Sequence, residues 1–229
     1  MTPLAQPVGD CGVILRLGDH ISPDIHADVV AMQTAVTAAG LPGVTELVPS
    51  YTALFIGYDP LITDYETLSA SLSALTPEPA ALKAPAVREV PVCYDAELAP
   101  DLAEVAERTG QSTEAVINTH MSGDYMIYMY GFAPGYAYMG GVPKGLRLPR
   151  KQTPVRDVPG GTVCIAGPQS LVTTMTLPTG WWRLGRSPFR FLRTGDGGDA
   201  FPLAVGDHVR FRRISRAEYE RRREGKGGA

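Results

Sequence analysis

The sequence holds little of what usually places a protein at once. Of 229 residues only three are cysteines, and Cys11, Cys93 and Cys164 stand too far apart for a Cys-x-x-Cys pair or a Cys/His zinc spacing. Their odd number favours reduced thiols in a cytoplasmic protein. No apolar run approaches the ~18 residues that span a bilayer. The opening Met1-Thr2-Pro3-Leu4-Ala5-Gln6 has neither the basic nor the apolar stretch of a secretory leader, so the expected location is the cytoplasm. A net charge of −3 excludes a strong field for nucleic acid or anionic membrane. There is no Gly-x-Ser-x-Gly elbow, no His-Glu-x-x-His and no Gly-x-x-x-x-Gly-Lys-Ser/Thr loop. The chain therefore shows no familiar hydrolase signature and no phosphate cradle of its own. Internal repeats and low-complexity tracts are also lacking.

What remains is a chain that can bury a core: 44% of its residues are hydrophobic and 20% charged. Its first part reads as β-α-β-β-α. A strand over 11–17 is followed by a helix over 23–39, with Ile25, Val29, Met32 and Val36 at helical spacing. Ser22 is placed to cap that helix, Pro23 fits its first position, and Gly40 its left-handed end. Strands over 44–48 and 53–58 form a hairpin, and a helix over 64–75 follows. This order is most of a split βαβ, ferredoxin-like unit. The Pro/Ala-rich stretch 76–85 reads as a linker. The strand after it, 87–94, either completes the first sheet or crosses to a second domain. Helices follow over 100–110 and 112–120. The remainder turns to short strands, at 125–130, 162–166, 171–177 and 207–212, with Gly/Pro turns between them as in a barrel or sandwich. The expected organisation is residues 1–85, residues 86–215, and a basic tail over 216–229. The charges of that tail, interleaved with Glu218, Glu220 and Glu224, read as a solvated turn or helix.

The densest information lies in Tyr130-Gly131-Phe132-Ala133-Pro134-Gly135-Tyr136-Ala137-Tyr138-Met139-Gly140-Gly141. Glycines and a proline fix an irregular backbone path there, and the aromatics supply apolar walls with polar tips. Several residues nearby could carry chemistry. His120, at a helix end, is either a cap on the helix dipole or a proton-transfer group, with an ordinary pKa near ~6.5. Arg150, Lys151 and Arg156 sit among prolines, on a frame for anion capture or in a solvated loop. Arg183 and Arg186 follow Trp181 and Trp182, as cation–π partners or as part of an anion site. The turns at Gly160-Gly161 and at Gly167-Pro168-Gln169 are either barrel corners or presenters of backbone N–H groups to an oxyanion. Gln169 adds an amide that can both donate and accept.

Taken in order, these segments resemble one family. Leu47-Val48-Pro49-Ser50-Tyr51-Thr52-Ala53-Leu54, Pro91-Val92-Cys93-Tyr94-Asp95, the segment 100–106 and His120 are similar to its first half. Gly131 to Gly141 resembles its central signature. Pro149-Arg150, Thr153-Pro154-Val155-Arg156, the segment 158–163, Ile165 to Gln169, Trp181 to Pro188 and Val205 to Phe211 complete the series. The family is that of the 5-oxoprolinase B-type component, allophanate hydrolase subunit 1 and KipI, whose module also occurs in the carboxyltransferase domain of urea carboxylase. The resemblance implies an α+β protein, with a small ferredoxin-like α/β domain followed by a cyclophilin-like β-barrel domain. It also implies two partners in a 5-oxoprolinase complex: a C-type subunit, which shares an active-site cleft with the B-type chain, and an A-type subunit. The implied reaction is ATP-dependent opening of 5-oxo-L-proline to L-glutamate, with ATP used by the complex. The alternatives it leaves are an allophanate hydrolase or urea amidolyase-type subunit, and a KipI-like inhibitor of a sensor histidine kinase. For a cyclic amide acid, Arg150, Arg156 or Arg186 would take the carboxylate. The turns at Gly161 and Gln169 would polarise the carbonyl, and His120 would shuttle the proton. Three departures stand out: Val172-Thr173-Thr174 where the family commonly has Ile-Tyr-Pro, Pro178-Thr179-Gly180-Trp181 for Pro-Gly-Gly-Trp, and Pro159-Gly160-Gly161-Thr162 for Pro-Ala-Gly-Ser.

Overall fold

A computed structural model describes residues 4–78, 86–193 and 200–225. Most of the expected linker, residues 79–85, lies outside the described residues, as do residues 226–229 of the expected tail. The chain divides into two compact units, Met1–Lys83 and Ala84–Ala229. No described helix is long and apolar enough to cross a membrane.

The first unit holds β1 (Leu4–Val8), β2 (Gly12–Arg16), α1 (Pro23–Ala39), β3 (Val44–Pro49), β4 (Ala53–Tyr58) and α2 (Tyr65–Ala74). Its antiparallel sheet runs β1-β2-β4-β3. Val13 and Leu15 from β2, Leu54 and Ile56 from β4, Val29, Met32 and Val36 from α1, and Leu68 and Leu72 from α2 form one buried cluster. Both helices therefore cover the same face of the sheet. Gly40 ends α1 with φ 54°, and the Asp64 carboxylate accepts from the Thr67 N–H to cap α2. The sequence pattern misses β1. Its Leu-Ala-Gln-Pro-Val run is almost wholly exposed, and Pro7 is tolerated because the strand is at the edge. The place beside β2 that the last strand of a βαββαβ unit would fill is taken by β1.

The strand after the linker, β5 (Val87–Val92), instead joins the second unit. There it is followed by α3 (Leu102–Thr109), α4 (Thr113–Met121), β6 (Tyr125–Tyr130), β7 (Ala137–Gly140), a 3₁₀ turn (Lys144–Leu146), β8 (Val155–Val158), β9 (Thr162–Ala166), β10 (Gln169–Val172), β11 (Leu177–Thr179), β12 (Trp182–Arg186), β13 (His208–Arg213) and α5 (Arg216–Arg223). Seven strands form a sheet in the order β12-β9-β10-β7-β6-β13-β5, antiparallel except for β13 beside β5. The two edges then meet. Cys93 N–H donates to the Arg186 carbonyl at 2.8 Å, and Arg186 N–H returns a bond to Cys93 at 2.9 Å. One bridge thus nearly closes the sheet into a barrel and leaves little free edge. Its interior is Val90, Val92, Ile127, Met139, Val163, Ile165, Leu184, Val209 and Phe211, joined by Leu102, Val105, Val116 and Ile117 from α3 and α4.

Two expectations change here. The strand read over 171–177 is two strands, because the chain leaves the ladder after Thr173, which still bonds Thr162 and Gly161 through its backbone. Residues 216–223, read as part of a separate tail, form a helix capped by Ser215. Its Tyr219 is buried with Cys93 and Ile214, so the helix packs on the second unit.

Candidate functional site

At one end of the β9–β10 hairpin the second unit carries a cleft of about 450 Å³, within the ~300–1,000 Å³ range of small-molecule sites. Three segments form it: the Pro159-Gly160-Gly161 turn, Thr173-Thr174 past β10, and the run Arg186 to Leu192 past β12; Tyr219 and Arg223 of α5 complete the wall. Among the described residues, Arg186, Arg190 and Arg223 line this cleft and no carboxylate does. In a chain of net charge −3, that concentration of guanidinium gives the cleft a positively charged lining. Among the described residues, neither Arg186 nor Arg190 has a carboxylate partner. The Arg186 Nε has only the Thr162 hydroxyl, at 3.5 Å.

The walls are held by backbone bonds. Gly161 N–H donates to the Thr173 carbonyl at 2.6 Å, and Ser187 N–H donates to the Gly161 carbonyl at 2.7 Å. The Thr173 hydroxyl accepts from Thr162 N–H at 2.9 Å and donates to the Pro159 carbonyl at 2.7 Å. Thr173 and Thr174 stand where the family commonly has Tyr-Pro, and here the Thr173 hydroxyl fastens the turn. Gly161 has φ +84°, and a Cβ there would lie 2.6 Å from the Ser187 carbonyl oxygen. Its role is thus close approach between two strands, while its N–H is already committed and not free for an oxyanion.

The aromatic signature lies behind this cleft. The Thr174 hydroxyl donates to the Pro134 carbonyl at 2.6 Å. Gly135 abuts Leu192 and Thr174, where a Cβ would come within 2.7 Å and 3.0 Å. The Gly/Pro path therefore shapes the cleft from outside, while Tyr136 is buried beside Cys164 and Trp181.

The other predicted residues lie elsewhere. Gln169 begins β10 and pairs with Ala166, at the far end of the hairpin from Thr173. Four residues along a strand separate it from the cleft by about 13 Å. Arg156 is exposed on β8. Arg150 is exposed, with its guanidinium over the Trp181 ring at 5.5 Å. Lys151 and Arg183 are held by Asp101, which is 3% exposed. Its carboxylate accepts from Lys151 Nζ at 2.7 Å and from the Arg183 guanidinium at 2.7 and 2.8 Å. Burial pushes the Asp101 carboxyl up, but these bonds outweigh it and hold it below its ordinary value. The rigid basic frame is therefore in part an internal ion-pair network.

His120 is fully buried. Its ring stacks on Phe211 at 4.6 Å, and its Nδ1 shares a 2.8 Å hydrogen bond with the Tyr94 hydroxyl. Its Nε2 has no partner among the described residues. Desolvation lowers its pKa to about 3, so the ring is neutral near pH 7. In this position it has no access to a ligand in the cleft.

Arg190 and Arg223 are cleft residues that the sequence pattern does not single out. Arg190 sits in Pro188-Phe189-Arg190-Phe191, where alternation with two phenylalanines is the available signal. Arg223 belongs to a run of arginines that reads as a solvated face.

A nearly closed barrel in a chain that also carries a ferredoxin-like unit is the fold of a carboxyltransferase-type domain. Residues 3–199 match the family described as carboxyltransferase domain, subdomain C and D, and the chain belongs to that family. It is 33% identical over 231 residues to the B subunit of 5-oxoprolinase from Bacillus subtilis (strain 168), covering 96% of each chain. Among solved structures, it superposes on the protein TTHA0988 with a TM-score of 0.75 and 35% identity, over 89% of this chain and 40% of that longer one. The Kluyveromyces lactis urea carboxylase matches 98% of this chain and 23% of its own length, with a TM-score of 0.79 and 15% identity. That last likeness is one of fold.

Proposed function

We propose that this chain is the B-type component of an ATP-dependent 5-oxoprolinase, acting with A-type and C-type partners to open 5-oxo-L-proline to L-glutamate. The observation that carries the reading is the match, along nearly the whole of both chains, to the B subunit of a 5-oxoprolinase. The cleft supports it physically. The substrate is a small cyclic amide with one carboxylate, and Arg186 and Arg190 are cations without carboxylate partners, on a lining that has no acid among the described residues. We assign the substrate carboxylate to these two, with a guanidinium fork as the matching geometry.

In the reaction, water adds to the ring carbonyl, the C–N bond breaks and the nitrogen takes up protons. The chain's part in this is to bind and orient the acid, while the partners supply the rest of the shared cleft. ATP is a substrate of the assembled enzyme, used by the complex. His120, Gln169, Arg150 and Arg156 lie off the cleft and receive no role in it.

Reconstitution tests the reading. The purified chain and its A-type and C-type partners are combined singly, in pairs and all together with 5-oxo-L-proline and ATP, and glutamate is measured. ATP-dependent release is expected only from the full mixture. Turnover by this chain alone, or by the partners without it, would sink the proposal. Release of ammonia from allophanate by the same mixture, without glutamate from 5-oxoproline, would move the assignment to the allophanate class.

A further inference from the structure

The proposed reaction keeps the net charge of its ligand but adds a carboxylate and an ammonium to it. 5-Oxoproline carries one carboxylate, whereas opening the amide creates a second from the ring carbonyl. The cleft has a third guanidinium suited to that second group, supplied by α5. This helix lies beyond residues 3–199 that the family match covers. It is nonetheless firmly seated. Tyr219 is 3% exposed and lines the cleft, Arg216 bonds Glu97 at 3.0 Å, and Arg212 bonds Glu218 at 3.1 Å. Its Arg223 faces the cleft with weak compensation. The nearest acid is Glu220 at 3.4 Å, and Glu220 is already bound more closely by Arg216, at 2.8 Å.

We propose that α5 makes the cleft a dicarboxylate site, with Arg223 holding the carboxylate that ring opening releases while Arg186 and Arg190 keep the original one. Arg223 is thus a specificity-determining residue for the product side of the reaction, and the inference rests on the function proposed above. The step balances: the amide C–N bond is broken, the oxygen of one water enters the new carboxylate and both its protons go to the nitrogen, which becomes the ammonium. The ATP used by the complex is hydrolysed to ADP and phosphate with a second water. Arg223 takes part in none of these transfers and contacts only the carboxylate they leave.

Two measurements on Arg223→Ala test this, with Arg221→Ala as the control, since it removes the same charge from the same helix without lining the cleft. In the reconstituted complex, the inhibition constant for L-glutamate should rise about 10-fold in Arg223→Ala, while KM for 5-oxo-L-proline moves less than about 3-fold; a charge-assisted contact of this kind supports such a change. Arg221→Ala should move neither. Calorimetric titration of the full chain alone with glutarate, which needs no turnover, should show binding weakened about 10-fold by Arg223→Ala only. If the complex fails to make glutamate while glutarate binding still depends on Arg223, the assigned reaction fails and the dicarboxylate site stands. If the complex turns over but neither constant depends on Arg223, or if Arg221→Ala has the same effect, or if the chain binds no glutarate, the dicarboxylate inference is overturned.

Discussion

Asp101→Ala is the substitution whose cost can be worked most fully from the structure. Four bonds converge on this carboxylate: Lys151 Nζ at 2.7 Å, the Arg183 guanidinium at 2.7 and 2.8 Å, and the Arg183 backbone N–H at 2.9 Å. Asp101 stands at the N-cap of α3 but makes no side-chain capping bond, so no cap energy is added. Removing one partner of a buried ion pair costs about 3–5 kcal/mol. The Lys151 and Arg183 side chains keep 14% and 19% of their exposure, so water relieves part of the loss. The expected cost is about 3 kcal/mol, or roughly 6–12 °C in Tm. The chain's two tryptophans are Trp181 and Trp182, and Lys151 lies over the Trp182 ring at 4.6 Å. Denaturant unfolding followed by tryptophan fluorescence therefore reports the second unit itself. Because the folded Asp101 pKa is lowered, its contribution is complete above the unfolded value of about 3.9 and is lost as pH falls through the folded one. The gap between wild type and variant should be constant from pH 8 to about 5 and shrink below about 4. A destabilisation under about 1 kcal/mol at pH 7 would refute the ion-pair hub.

The remaining expectations concern the cleft and the buried histidine. Arg186→Ala and Arg190→Ala should each raise KM for 5-oxo-L-proline in the reconstituted complex by about 10–100-fold, the worth of a charge-assisted hydrogen bond. Arg150→Ala should leave KM within about 3-fold; a larger rise would return the anion site to the proline-framed loop. Gly161→Ala must hold a left-handed backbone, costing about 1–2 kcal/mol, and must relieve contact with the Ser187 carbonyl, so unfolding curves should show a loss of at least about 2 kcal/mol. His120 has a folded pKa of about 3, far below its unfolded value near 6.5. Its neutral form is favoured on folding, so stability is full above about pH 6.5 and falls progressively between there and about pH 3. In His120→Phe that part of the pH dependence should be absent from pH-resolved unfolding curves.

Local pattern was enough for the elements whose pattern is local. The strands at Tyr125–Tyr130, Thr162–Ala166 and Ala53–Tyr58, and the helix Pro23–Ala39, lie where alternation, turn residues and the Pro23 and Gly40 boundaries placed them, although the Ser22 side chain makes no capping bond. Elements that depend on distant partners were not legible. Trp182–Arg186 reads as a basic aromatic motif, and it is a strand because Thr162 to Ile165 pairs with it. Ala137–Gly140 is hidden among glycines and aromatics, and it is a strand through pairing with β6 and β10. The same division holds at the site. Arg186 and Gly161 came from compact motifs and both line the cleft. The place of His120 depends on Phe211 and Tyr94, which no spacing near residue 120 reveals. Lys151 and Arg183 looked free as a sequence because their neutralising partner, Asp101, is distant in the chain. Arg223 joins the cleft only because α5 folds back onto the barrel.

The most direct test is a crystal structure of this chain assembled with the proposed C-type partner and soaked with 5-oxo-L-proline. The ligand is expected in the cleft between the Gly160-Gly161 turn and Arg190, with its carboxylate within hydrogen-bond distance of Arg186. A ligand carboxylate bound instead at Arg150 or Arg156, or a cleft that stays empty while the ligand occupies another site, would contradict the assignment.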